Sequence, residues 1–199
     1  MGMIKKNSLY SLKEFAISAG KAVITPAEIA NILGKPKNVG AVYAARLVNK
    51  GLARRLVRGK LALIDDDFAI ASQLISPVYI SLDSALLFHG IIQQVTKGLE
   101  CVTTVNSIKL KKLGIIYHKI PPPLFYGYKR VERGQSYAFV AEPEKAFIDG
   151  IYLGTYADEK LSEYSSKINK KRLFELANMY KGYGSRNIIR VVGSLTKAL

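Results

Sequence analysis

The chain has 199 residues, 49% of them hydrophobic and 23% charged, with one cysteine and no tryptophan. This composition excludes a disordered tail, a collagen-like repeat and a disulfide scaffold, and a lone Cys101 leaves no intramolecular disulfide or multi-cysteine zinc site to build. Thirty Lys plus Arg against 15 Asp plus Glu give a formal charge of +15, which calls for a polyanionic partner, most simply nucleic acid and less simply an anionic membrane surface.

Met1 to Lys6 lacks an apolar signal core, and Lys6 stands where a myristoylation signal at Gly2 wants Ser or Thr. No stretch reaches the roughly 18 uninterrupted apolar residues of a membrane span, so a soluble cytoplasmic protein with no membrane partner is expected. A first helix is expected from Leu9 to Ala19, with Ser8 as cap, Leu9, Leu12, Phe15 and Ala16 on one face, and Gly20 beyond its end. Thr25-Pro26-Ala27-Glu28 reads as a capping box with proline at the first helical position, opening a second helix that Gly34 stops. After the turn Gly34-Lys35-Pro36-Lys37, a third helix is expected from Asn38 to Lys50, with Gly51 suited to a left-handed end.

At 100° per residue, Val39, Tyr43, Ala44, Leu47 and Val48 gather on the core side of that third helix. Asn38, Ala41, Val42, Ala45, Arg46 and Asn49 fall on the other side, a slim surface suited to a groove. Two strands follow, Ala53 to Val57 and Lys60 to Ile64, joined by the hairpin dipeptide Arg58-Gly59. Three helices and a basic hairpin spell a winged helix-turn-helix over residues 1–66.

The charge is concentrated here. The first 64 residues hold 12 basic and 2 acidic residues, hence +10, and no acid lies between Glu28 and Asp65. Lys35, Lys37, Arg46, Lys50, Arg54, Arg55, Arg58 and Lys60 supply eight positive charges in that interval. A solvated face ordinarily intersperses carboxylates, so this run reads as a footprint on double-stranded DNA. The expected interface comprises Lys35, Lys37, Asn38, Ala41, Val42, Ala45, Arg46, Asn49, Arg54, Arg55, Arg58 and Lys60. Asn38 is positioned for adenine, Ala41, Val42 and Ala45 for thymine methyl groups, and the basic residues for phosphates.

Asp65-Asp66-Asp67 opens a connector over 67–78; three consecutive acids diverge around a helix start and complement its dipole rather than gather on a magnesium ion. Residues 79–199 are expected to form an α+β domain with a small antiparallel sheet. Ser81 is read as the cap of a helix through His89, and strands are read at Cys101 to Val105, Ile115 to Ile120, Phe125 to Val131 and Ser136 to Ala141. The turn Glu132-Arg133-Gly134-Gln135 joins the last two, and Pro121-Pro122-Pro123 is a loop or edge. Helices are expected from Pro143, from Arg172 to Met179 and from Ser185 to Leu195.

Three stretches, Arg46-Leu47-Val48-Asn49-Lys50-Gly51-Leu52 through Arg58-Gly59, Tyr79-Ile80-Ser81-Leu82 with Ser84-Ala85-Leu86 and Gly90, and Ala141-Glu142-Pro143-Glu144-Lys145-Ala146 with Asp149, carry a family resemblance. Together they resemble the AbiEi-type antitoxins, transcriptional regulators of the abortive-infection type IV toxin-antitoxin systems. The resemblance implies a DNA-binding N-terminal domain that represses its own operon at inverted repeats; half-site reading favours two copies on DNA, while no heptad or long apolar seam in the sequence identifies a dimer surface. It also implies a C-terminal domain that counters a nucleotidyltransferase-like toxin without forming a stable complex. Leu61-Ala62-Leu63-Ile64 departs from the family pattern, in which a tyrosine often ends the wing strand.

An enzyme needs a nucleophile with a base, paired acids or a metal. His89 among apolar helix residues and His118 in an aromatic strand read as structural, and Gly182-Tyr183-Gly184-Ser185 as a helix-to-helix turn. The expectation is no enzyme, no cofactor and no metal site. Two other readings are kept: a winged helix binding RNA or a protein, and a nuclease built on Glu142, Glu144 and Asp149.

Overall fold

A computed structural model describes residues 8–94 and 98–197; the amino-terminal readings at Met1–Lys6 and Gly2 lie outside the described residues. The protein is mixed α+β and divides into two compact units, one running to Ile75 and including Val131–Ala138, the other comprising Ser76–Arg130 and the chain from Phe139 onward. No helix among the described residues is long and apolar enough to cross a membrane.

In the first unit, α1 (Leu9–Ser18) starts where the Ser8 side chain accepts a hydrogen bond from the Tyr10 amide at 3.2 Å. β1 (Val23–Ile24) leads into α2 (Pro26–Leu33), whose capping box is complete: Thr25 accepts from the Glu28 amide and Glu28 accepts from the Thr25 amide. Gly34 closes α2 at φ +60°, a left-handed position that glycine adopts at little cost. Then come α3 (Lys37–Asn49), β2 (Arg54–Val57), β3 (Lys60–Ala62) and α4 (Asp67–Leu74).

The three strands form an antiparallel sheet in the order β1-β3-β2. Leu12, Ala16, Ile24, Ile29, Ala44, Leu47, Leu61 and Leu63 form the core that holds helices and sheet together. Ile29 and Leu47 are wholly buried, each worth about 1.5–3 kcal/mol of apolar transfer.

The expected connector 67–78 is divided between the units. Its first part is α4, whose Ala69, Ile70, Ala71 and Leu74 are buried in the first unit, because one helical turn of small and branched residues packs against β1. Gln73 fixes that packing: its carbonyl accepts from the Ala22 amide at 2.8 Å, and its amide donates to the Gly20 carbonyl and to Ser136 Oγ, each at 3.0 Å. Arg133 donates to Asp66 at 3.0 Å and lies 5.1 Å from the Phe68 ring, while Asp66 also caps α4 through the Ala69 amide.

The second unit corrects the expectation of a small antiparallel sheet. Its strands belong to a six-stranded mixed sheet in the order β6-β7-β5-β4-β9-β8, of which residues 131–133 and 136–138 are counted with the first unit. The strands are β4 (Val78–Ile80), β5 (Leu99–Thr103), β6 (Ile108–Leu110), β7 (Ile115–Lys119), β8 (Tyr128–Arg133) and β9 (Ser136–Ala141). β4 runs parallel to β9 and antiparallel to β5, and β5 runs parallel to β7. Val78, Tyr79 and Ile80 are all buried, so this inner strand shows none of the alternation that marks a half-exposed one. Helices α5 (Leu82–Phe88), α6 (Pro143–Leu153), α7 (Asp158–Ser165), α8 (Lys170–Met179) and α9 (Ser185–Lys197) complete the chain. The α7 segment is polar, and Tyr164, 3% exposed, is its principal anchor.

Candidate nucleic-acid interface

α2 and α3 approach closely because residue 40 is glycine. A Cβ there would stand 2.0 Å from the Pro26 carbonyl oxygen and 2.9 Å from the Ala30 Cβ. Between them, the Lys35 amide donates to the Ala30 carbonyl at 2.9 Å and lays the chain over the left-handed Gly34. Pro36 then precedes the first turn of α3, and no side chain caps the amides there. Uncapped amides at a helix N-terminus favour an anion.

With Ala44 and Leu47 buried on its inner side, α3 turns Asn38, Ala41, Val42, Arg46 and Asn49 into solvent, and Ala45 is half-buried. The expected slim face is therefore outward. Val42 is 49% exposed, beside exposed Ala41. The Arg46 guanidinium lies 5.4 Å from the Tyr43 ring, an i, i+3 contact that limits the swing of that side chain. The Leu52 amide donates to the Leu47 carbonyl at 2.8 Å, so the hairpin begins within one turn of the end of α3. Arg58-Gly59 forms its tip, with Gly59 at φ +75°.

The eight cations separate into two groups. Lys35, Lys37, Lys50, Arg55 and Arg58 are exposed and form no ion pair among the described residues, and exposed Arg46 meets only a ring. Arg54 stands 3.6 Å from Asp65, an exposed pair that water screens strongly. Lys60 is half-buried and its ammonium donates to the Leu74 carbonyl at the end of α4. Lys60 is thus engaged within the protein, a destination that its position in a basic run did not reveal.

The acids of the nuclease reading have separate partners. Asp149 is wholly buried; it accepts from Tyr79 Oη at 2.9 Å and Ser81 Oγ at 2.7 Å and is ion-paired with Lys145. Ser81 therefore does not cap α5 with its side chain, as expected, because Asp149 takes its hydroxyl. Glu144 accepts from the Asn169 amide at 2.9 Å. His89 lies 2.8 Å from the Ala141 carbonyl and His118 3.3 Å from Glu100. Among the described residues, no group of three or more His, Cys, Asp or Glu side chains could hold a metal ion.

Glu142 receives two hydrogen bonds from Arg172, at 3.0 and 3.2 Å, and these hold its carboxyl below the usual carboxylate range. A depressed carboxylate stabilises the fold fully above the unfolded value of about 4.3, and the contribution fades as pH falls through the folded value. Arg172→Met should therefore lower stability near neutral pH and converge with the parent as pH falls below the folded value of Glu142. Urea midpoints measured across that range check it; a gap that stays constant with pH would refute the assignment.

Known protein families and curated proteins offer no match to this chain.

Proposed function

We infer that the first unit is a winged helix-turn-helix that binds double-stranded DNA, with α3 in the major groove and the β2–β3 hairpin as wing. The observation that carries this reading is the outward face of α3, narrow and free of acids, accompanied by six cations without a carboxylate partner. In that arrangement Asn38, Ala41, Val42 and Ala45 meet base edges while Lys35, Lys37, Lys50, Arg55 and Arg58 neutralise phosphates. Arg46, steadied by Tyr43, lies between the two roles.

The proposed activity is transcriptional repression at inverted repeats upstream of the chain's own gene, with two copies on the operator. The resemblance to AbiEi-type antitoxins extends the proposal to neutralising a nucleotidyltransferase-like toxin without a stable complex. The buried Tyr79-Ser81-Lys145-Asp149 network supports that extension, since the two stretches that carry the resemblance in the second unit meet in it.

A titration of the upstream DNA tests the reading. The parent should prefer it to unrelated duplex, with log K falling against log salt at a slope of about −5 for six phosphate contacts. Arg58→Ala should weaken all duplexes alike and shallow the slope by about one, whereas Asn38→Ala should erode the preference itself. Equal affinity for every duplex, or retention of RNA or a protein in its place, would overturn it.

A further inference from the structure

After Glu175 the chain contains no acid, yet it carries Lys181, Arg186, Arg190 and Lys197. The segment joining α8 to α9 lies within this stretch. Tyr180, 1% exposed, ends α8 with its ring edge-on to Tyr152 of α6 at 6.2 Å. Its hydroxyl donates to the Tyr183 carbonyl at 2.6 Å, and the Ser185 amide donates to the Gly182 carbonyl at 3.1 Å. A Cβ on Gly182 would stand 2.5 Å from that hydroxyl, and one on Gly184 would stand 3.2 Å from the Tyr152 ring. Two glycines thus let the backbone lie directly on two tyrosine rings.

The ring carried by this braced turn goes nowhere in the fold: Tyr183 is 93% exposed. Met179, at the end of α8, is 58% exposed, and Lys181 and Arg186 flank the turn in solvent. Single exposed apolar side chains are common and mean little alone. Here the backbone beneath the ring is held by three other groups, and the charges that flank it in sequence have one sign. The nearest acid in sequence, Glu175, pairs with Arg172 at 3.4 Å.

We propose that this turn binds single-stranded nucleic acid, with Tyr183 stacking on an unpaired base and Lys181, Arg186 and Arg190 taking the adjoining phosphates. An acid-free basic stretch selects a polyanion, and an exposed aromatic ring on a braced backbone selects one whose bases present their faces, which a duplex keeps within its stack. Arg186 and Arg190 lie about 6 Å apart along one side of α9, so cations continue away from the ring in one direction. Because the turn is already ordered by Tyr180 and Tyr152, little conformational freedom is lost on stacking.

The test uses the full chain and fluorescence anisotropy on labelled oligo-U RNA and oligo-dT DNA of about 12 nucleotides, with a fully paired duplex as comparison. Tyr183→Ala should weaken binding to the single strands about tenfold, Tyr183→Phe should bind like the parent, and duplex affinity should not move. Lys181→Glu with Arg186→Glu should weaken single-strand binding and shallow its salt slope. Preference for RNA or for DNA identifies the strand that is bound, and either supports the proposal. Repeating the series in an Arg46→Glu, Arg58→Glu chain keeps it independent of the duplex reading, since the Tyr183 effect must persist there. Unchanged single-strand affinity in Tyr183→Ala, or equal loss on duplex, would overturn it.

Discussion

Asp149→Ala should destabilise the second unit by about 3–5 kcal/mol, because it leaves the Lys145 ammonium buried with no counter-charge. Both side chains have no exposure to solvent. Burial draws the Lys145 ammonium below the ordinary lysine range, and Asp149 pulls it back toward that range. The Tyr126 and Tyr79 rings, 5.1 and 5.4 Å from the ammonium, stabilise it less than a carboxylate does.

Between the folded and unfolded lysine values the unfolded chain binds more protons, so stability rises with pH across that window. Removing Asp149 lowers the folded value further and widens the window. Asp149→Asn, which retains an acceptor for Tyr79 and Ser81, should fall between parent and alanine. Replacing the pair together, Lys145→Met with Asp149→Leu, should recover much of the loss, since an apolar pair of similar volume has no charge to desolvate. Urea unfolding of the parent, Lys145→Met, Asp149→Leu and the double variant makes a double-mutant cycle; an Asp149→Ala variant within about 1 kcal/mol of the parent would show that the pair does not hold the unit together.

Gly40→Ala is the second substitution with a large expected effect. On helix propensity alone it should stabilise by about 1 kcal/mol. The added carbon instead meets a backbone oxygen, which cannot rotate away as a side chain can, at 2.0 Å. α3 must move off α2, and overpacking of this kind costs about 1–3 kcal/mol. Gly193 in α9 supplies the contrast, since a Cβ there meets nothing within 4 Å and Gly193→Ala should gain up to about 1 kcal/mol. Thermal melting reads both signs in one experiment. If Gly40→Ala melts at or above the parent, the close packing of the two helices is not what sets their approach. Duplex affinity should fall with Gly40→Ala as well, since α3 carries the proposed reading face.

What could be read from the sequence is what neighbours in the chain decide. Thr25 and Glu28 lie three residues apart and form their capping box without help from elsewhere, and the helical period alone separates exposed Asn38, Val42 and Arg46 from buried Ala44 and Leu47. Gly40 escaped that reading because hydrophobic periodicity has no place for a residue whose contribution is an absent carbon.

The sheet of the second unit escaped it for another reason. Ile80 pairs in parallel with Val140, and nothing near either residue encodes a partner so distant. β1 has two residues and β6 three, too few for an alternation to register. Ser81, Asp149 and Lys60 show the same limit in side chains: each has chemistry that suits a local role, and each is claimed by a group remote in sequence. The exposure of most of the basic run was legible because an acid-free run leaves most of its cations no carboxylate nearby in sequence.

The hairpin tip Val131–Ala138 has a practical consequence for anyone dissecting this chain. Ser136 donates to the Gly20 carbonyl at 2.7 Å and Arg133 secures Asp66, so the amino-terminal unit is finished by residues translated long after its helices. A fragment stopping at Ile75 would contain every residue of the proposed base-reading face and still be short of its own clasp. Nascent chains face the same delay on the ribosome, where this unit stays incomplete until the hairpin has emerged.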